Sequence, residues 1–186
     1  MKKLFPIILV IVGLGFLAGG AYATMRGLDA KAEVRETLLA QNITTPSDAA
    51  IPDVRVEDAA TADAMADVIG VHALEATAGR TYAEMGRFLT PDGGDTSDEA
   101  AALKDDAGNP VANPLRNVAF QASTLQTSLH TSHMAFNVAD LVIGLGIMIA
   151  VVGVAIGGIG VALGGLTIPA LARRFDVEPV LVRSAS

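Results

Sequence analysis

The chain has no cysteine and no tryptophan, and only two tyrosines and six phenylalanines among its 186 residues. Without thiols it has no disulfide, thiolate zinc site, iron–sulfur cluster or catalytic cysteine. Bases are scarce as well: 13 Lys and Arg stand against 20 Asp and Glu, a net charge of −7. Phosphate recognition needs a basic face to displace counterions, so no nucleic-acid partner is expected. No G-x-S-x-G elbow, P-loop or HExxH is present, and no internal repeat is seen. No cofactor is expected.

Charge is missing altogether from two long stretches. Residues 4–25 are uncharged behind Lys2 and Lys3, and residues 141–172 are uncharged ahead of Arg173 and Arg174. A bilayer core of about 30 Å needs roughly 20 helical residues, so each run is long enough to span it. Only helix satisfies the backbone of a single segment in lipid. Thr167 and Pro169 mark where the second spanning helix, about residues 141–165, is expected to have ended. Lys2-Lys3, the apolar stretch and Ala21-Tyr22-Ala23 also fit a secretory signal with its cleavage site. The stretch exceeds the usual apolar core of about 7–15 residues, which favours a retained anchor. Removal would leave a single-span protein.

Basic residues near the spans set orientation. Arg173, Arg174 and Arg183 follow the second span, whereas no Lys or Arg lies between Arg116 and Asp140. The expected topology is multi-pass in the cell membrane, with both termini cytoplasmic and the loop 26–140 outside. That loop holds 18 acids and 8 bases, a net charge of −10.

The expected fold is all-α: residues 1–25 form the first span, 26–112 an acidic helical outer domain, 113–168 a long helix that includes the second span, and 169–186 a cytoplasmic tail. The first span is expected to run on as helix to Gln41. Ala62, Met65, Ile69, His72 and Ala76 follow 3-4 spacing and predict a helix over residues 58–78, with Gly79 as its stop. Thr81 with Glu84, and Thr96 with Glu99, read as capping boxes before short helices over 81–89 and 100–104. No alternating run long enough for a sheet is seen. Asn113-Pro114 supplies an N-cap and a first-turn proline.

The helix from Asn113 carries one continuous stripe. Val118, Ala122, Leu125, Leu129, Ser132, Phe136, Ala139, Ile143, Gly146, Ala150, Gly153, Gly157, Gly160 and Gly164 keep a 4-3 alternation, so one face meets a partner along the whole length. In water the stripe is mostly Val, Leu and Phe, which associate by burying apolar area. In lipid that drive vanishes, and small residues that let backbones approach take its place. Gly15-x-x-x-Gly19 on the first span is the expected matching pair. The expected helix-packing interface is therefore Gly146, Ala150, Gly153, Gly157, Gly160 and Gly164, with Gly15 and Gly19.

His130, His133 and Asp140 are the candidate metal-ligating group, since His and carboxylate at helical spacing can converge on one ion. The competing reading is a polar helix surface meeting water and lipid headgroups. His72 falls on the apolar stripe of its own helix and reads as a core or rim histidine. Asp92, Asp95, Asp98 and Glu99 share a glycine-containing loop, but their spacing is not that of an EF-hand. Neither span contains an ionisable side chain, which argues against a proton path.

Gln41-Asn42-Ile43-Thr44-Thr45, Thr81-Tyr82-Ala83-Glu84-Met85-Gly86-Arg87 and Phe136-Asn137-Val138-Ala139-Asp140-Leu141 resemble segments of uncharacterised two-span membrane proteins of actinobacteria. The resemblance covers about residues 1–166. It implies the two-span architecture, and some of those proteins carry the label of an aromatic ring-opening dioxygenase small subunit. A non-haem iron oxygenase typically needs two His and one carboxylate around an open position, whereas the paired His here lie on one helix. The expectation is a non-enzymatic structural protein that self-associates through its glycine seam, in contact with the lipid bilayer and with itself or other membrane subunits. The alternatives are an accessory subunit of a larger envelope or respiratory complex, and a metal-dependent enzyme such as a ring-opening dioxygenase.

Overall fold

The computed structural model describes the backbone of residues 4–172 and the side chains of residues 4–165. Lys2, Lys3, Arg173, Arg174 and Arg183, on which the expected orientation rests, lie outside the described residues. So does most of the expected 169–186 tail.

Three α-helices carry the described fold: α1 (Leu4–Ala40), α2 (Ala59–Ala76) and α3 (Pro114–Ala172). α1 and α3 are each long and apolar enough to cross a membrane. Pro6 lies in the first turn of α1, where a missing N–H leaves no ladder bond unmade. α3 opens at the Asn113-Pro114 signal: Asn113 Oδ1 accepts from the N–H of Leu115 at 3.1 Å and of Arg116 at 3.4 Å. It passes Asp140 unbroken and continues to Ala172, beyond the expected end near Gly165. The helix thus runs past Pro169, whose missing N–H leaves one bond of the ladder unmade.

The described chain divides into two compact units. One comprises the residues up to Asp29 and those from Asp140 on; the other is Ala30–Ala139.

In the first unit α1 and α3 run antiparallel and touch through glycine. Pro6, Gly13, Gly20 and Gly27 are buried on α1 at a spacing of seven, and Gly146, Gly153 and Gly160 are buried on α3 at the same spacing. A seven-residue repeat keeps one face of each helix turned to the other.

In the second unit Leu38, Val56, Ala62, Ala66, Leu129 and Phe136 form the core, flanked by Val34, Ile43, Ala59, Met65 and Ile69. Asp58 caps α2 with a 2.8 Å bond from Thr61 N–H, while Thr61 Oγ1 accepts from Asp58 N–H. Ala78 and Gly79 end it with positive φ of 54° and 78°, Gly79 N–H reaching Leu74 O at 2.7 Å. On α3 the stripe departs from expectation at its start. Val118 and Leu125 are exposed, whereas Ala119 and Ala122 are buried. Gly70 and Ala73 of α2 and its C-cap Thr77 share a cleft with Ala119, Ala122 and Gln126. Val118 and Leu125 fall on the side α2 leaves uncovered.

Residues 80–113 depart furthest from the expected helices. The Thr81–Glu84 box is present, with Glu84 Oε2 accepting from Thr81 N–H at 2.7 Å, yet it opens only a 3₁₀ turn, Tyr82–Glu84. The chain then forms β1 (Phe88–Leu89), antiparallel to β2 (Asp95–Thr96), with Phe88 opposite Thr96. Thr96 therefore opens no helix over 100–104. Leu89 N–H donates to Val111 O, Val111 N–H to Leu103 O, and Leu103 N–H to Leu89 O, a closed triangle of backbone bonds. Three distant segments here satisfy one another, and that tertiary pairing outweighs weak local helix signals.

Candidate functional site

The contact between α1 and α3 is a repeated close approach of backbone to backbone. A Cβ built on Gly13 would lie 2.5 Å from Gly157 N and 2.6 Å from Gly153 O; one on Gly20 would lie 2.5 Å from both Ala150 N and Gly146 O. From the other side, a Cβ on Gly153 would lie 2.5 Å from Leu17 N, and one on Gly146 2.7 Å from Gly20 O. On Gly160 it would meet Pro6 O at 2.9 Å. Real Cβ atoms do not approach backbone so closely, so these positions accept no side chain without moving a helix.

The residues expected at the interface thus separate into three groups. Gly146, Gly153 and Gly160 lie in backbone-to-backbone contact with α1. A Cβ on Gly157 or Gly164 would meet only ordinary contact, 3.9 Å from Gly13 Cα and 3.8 Å from Pro6 Cβ, although the Gly157 backbone itself faces Gly13, as that of Ala150 faces Gly20. Gly15 and Gly19 lie elsewhere, with nothing within 4 Å of a Cβ on either. The α1 residues that meet the seam are Gly13 and Gly20. Reading Gly15-x-x-x-Gly19 as the match took the nearest small-x-x-x-small pair. The partner of a seven-residue seam is itself a seven-residue series, visible as Pro6, Gly13, Gly20 and Gly27.

Beside the seam a groove of about 650 Å³ is lined by aliphatic residues, including Leu17, Ala21, Ile147, Ala150 and Val151, with Thr24 as its polar member. The Thr24 hydroxyl donates to Gly20 O at 2.9 Å. Such a surface suits apolar chains and offers no group for acid–base or metal chemistry.

The two histidines expected at the metal site with Asp140, His130 and His133, belong to the Ala30–Ala139 unit. Each turns to Asp63 of α2, with both Nδ1 atoms 3.5 Å from Asp63 Oδ1, and His133 Nδ1 is 3.0 Å from Ala59 O. Among the described residues no group of three or more His, Cys, Asp or Glu is arranged to hold a metal ion. Asp63 lies on α2, and nothing in its own stretch of sequence signalled the pairing. His72 is exposed, with Nε2 2.6 Å from Asp48 Oδ2. That hydrogen bond raises His72 above its ordinary value and lowers Asp48.

The acidic loop is likewise internally engaged. Asp95 accepts from Gly86 N–H at 2.7 Å through Oδ1 and pairs with Arg80 Nη1 at 2.5 Å through Oδ2. The Gly86 bond, then Arg80, hold its carboxyl below the usual range. Asp98 Oδ1 receives Ala100 N–H at 2.9 Å.

No protein family, characterised protein or solved structure matches this chain. Function is read from geometry.

Proposed function

We propose that this is a non-enzymatic structural membrane protein: a two-span helical hairpin that holds an acidic helical domain outside the cell membrane and serves as an accessory subunit of a membrane assembly. The observation that carries the proposal is the reciprocal glycine contact of Gly13 with Gly153 and of Gly20 with Gly146. In lipid two helices gain nothing from hydrophobic burial, and close backbone packing is the available adhesive. A seam occupied by the chain's own first span makes a hairpin within one molecule, and the aliphatic groove beside it supports contact with acyl chains or neighbouring helices. The charge distribution supports both termini in the cytoplasm and residues 26–140 outside.

Self-association is the second reading, and a specific observation favours it. Gly15, Gly19, Gly144, Gly158 and Gly165 leave open space where a side chain would stand. These glycines offer further small-residue edges for a second copy or another subunit.

The absence of native cysteine makes the test direct. In intact cells a membrane-impermeant maleimide should label Ser97→Cys, while Ser184→Cys should react only after lysis. The reverse pattern would overturn the topology. Native mass spectrometry from mild detergent then separates the readings: co-purifying foreign subunits support the accessory role, and a defined homo-oligomer supports self-association. A bare monomer from native membranes would contradict both.

A further inference from the structure

We propose that the outer domain carries a small-molecule site for an oxyanion borne on a flat apolar group, held by Arg87 and Arg116. Residues 26–140 have 18 acids for 8 bases, yet not every base there pairs with a carboxylate: Arg55 bonds to Asn42 Oδ1 and Leu39 O, and Lys104 to Glu99 O. Arg26 pairs with Asp29, Arg35 with Glu57, and Arg80 with Asp95. Arg87 and Arg116 have no carboxylate within 4.0 Å among the described residues. Both line a single cleft of about 450 Å³, together with Tyr82, Asn113, Asn117 and Phe120.

Each guanidinium is fixed by groups that leave its charge uncompensated. Arg116 Nε donates to Met85 O at 3.0 Å, and its guanidinium lies 3.9 Å over the Tyr82 ring. Arg87 Nη2 donates to Ser97 O at 2.9 Å, with its guanidinium 5.2 Å from the centre of the Phe88 ring. A carbonyl and a ring hold the fork in place but supply no negative charge, and other N–H groups of each fork are left to bind an oxyanion. The Asn113 amide is spent within the fold, capping α3 and donating to Gly86 O at 3.0 Å. The arginines, not the helix end, are therefore the binding groups.

The cleft also has an apolar wall. Phe120 is 53% exposed, and its ring centre lies 5.7 Å from that of Tyr82, tilted at 46°. A cleft of this size admits a small ligand, and charged anchors beside exposed aromatic faces select an anion with a planar body. The surrounding negative charge repels anions that lack the fit.

The full chain in mild detergent is titrated calorimetrically with phenyl phosphate, benzoate, inorganic phosphate and benzyl alcohol. Phenyl phosphate or benzoate should saturate one site, the tighter of the two showing whether phosphate or carboxylate is preferred. Inorganic phosphate should bind about tenfold more weakly for lack of the ring contact. Arg87→Gln and Arg116→Lys should each weaken binding about tenfold or more, the loss expected for one charge-assisted pair or its fork geometry. Circular dichroism checks folding, and Arg87→Gln alone decides if Arg116→Lys unfolds. Failure of both aromatic anions to saturate, benzyl alcohol binding as well as they do, or unchanged affinity in Arg87→Gln would each overturn the proposal. The titration does not depend on membrane insertion, so its failure leaves the hairpin reading standing.

Discussion

Gly13 and Gly153 face each other reciprocally: a Cβ on either would lie 2.6 Å from the other's carbonyl oxygen. Gly20 and Gly146 repeat the relationship seven residues along each helix, at 2.5 and 2.7 Å. A contact so close discriminates between glycines that look alike in sequence.

The first prediction uses that discrimination. Gly13→Ala, Gly20→Ala and Gly153→Ala each push a methyl into backbone and should destabilise the hairpin by about 1–3 kcal/mol, the usual range for overpacking. Gly15→Ala, Gly19→Ala and Gly158→Ala have open space and should be neutral, or stabilising by up to about 1 kcal/mol through helix propensity. Unfolding in detergent, read by circular dichroism against denaturant, separates the two sets.

A second prediction concerns the core of Ala30–Ala139. Phe136 is 1% exposed, whereas Leu125 is 53% exposed on the same helix. Phe136→Ala should cost about 3–5 kcal/mol, and Leu125→Ala no more than about 1 kcal/mol. Thermal melts of the two variants test the difference.

How legible this was in the sequence depended on what each signal measured. Two helices long and apolar enough to cross a membrane, the run of α1 to Ala40 and the Asn113 cap were readable, because each follows from a local rule about length, charge or capping. The inward residues of α3 from Leu129 through Gly160 were readable for the same reason, since periodicity alone selects a face. Val118 and Leu125 were misassigned because a stripe does not reveal where the covering helix stops. Residues 81–104 were misread as helix because the triangle of Leu89, Leu103 and Val111 joins positions that carry no pairing signal. Gly86 shows the same limit: a Cβ there would clash with the backbone of Thr96, a closeness set by the β1–β2 pairing. His130 and His133 were read along their own helix, whereas their partner Asp63 comes from another.

A third prediction follows from Asp95, which joins Gly86 N–H to Arg80 across the loop. Asp95→Asn keeps the shape but removes the charge, and should lower the stability of this region by about 1–3 kcal/mol. Faster amide exchange at Gly86, with Ala62 and Ala66 unaffected, would show that the loss is local.

The fourth is a pH dependence. The bond between His72 and Asp48 raises His72 above 6.5 and lowers Asp48 below 3.8. His72's contribution is complete below 6.5 and is lost as pH rises through its raised folded value. Asp48's is complete above 3.8 and is lost as pH falls through its depressed folded value. The link between the loop after α1 and α2 should therefore be strongest between those two values. Protection factors of the Asp53 and Val56 amides, which bond to Thr45 O and Ile43 O, should peak in that window. In His72→Gln the fall on the alkaline side should disappear.

The most direct test of the account is a cross-link across the groove beside the seam. Ala21→Cys with Ala150→Cys places one thiol on each helix at positions that line the same groove, in a chain with no other cysteine. Oxidation in native membranes should join α1 to α3 within one molecule, leaving the protein at monomer mass with a shifted, reductant-sensitive mobility. Disulfide-linked dimers as the main product, with no internal link, would show that the seam belongs to a second copy and would contradict the hairpin.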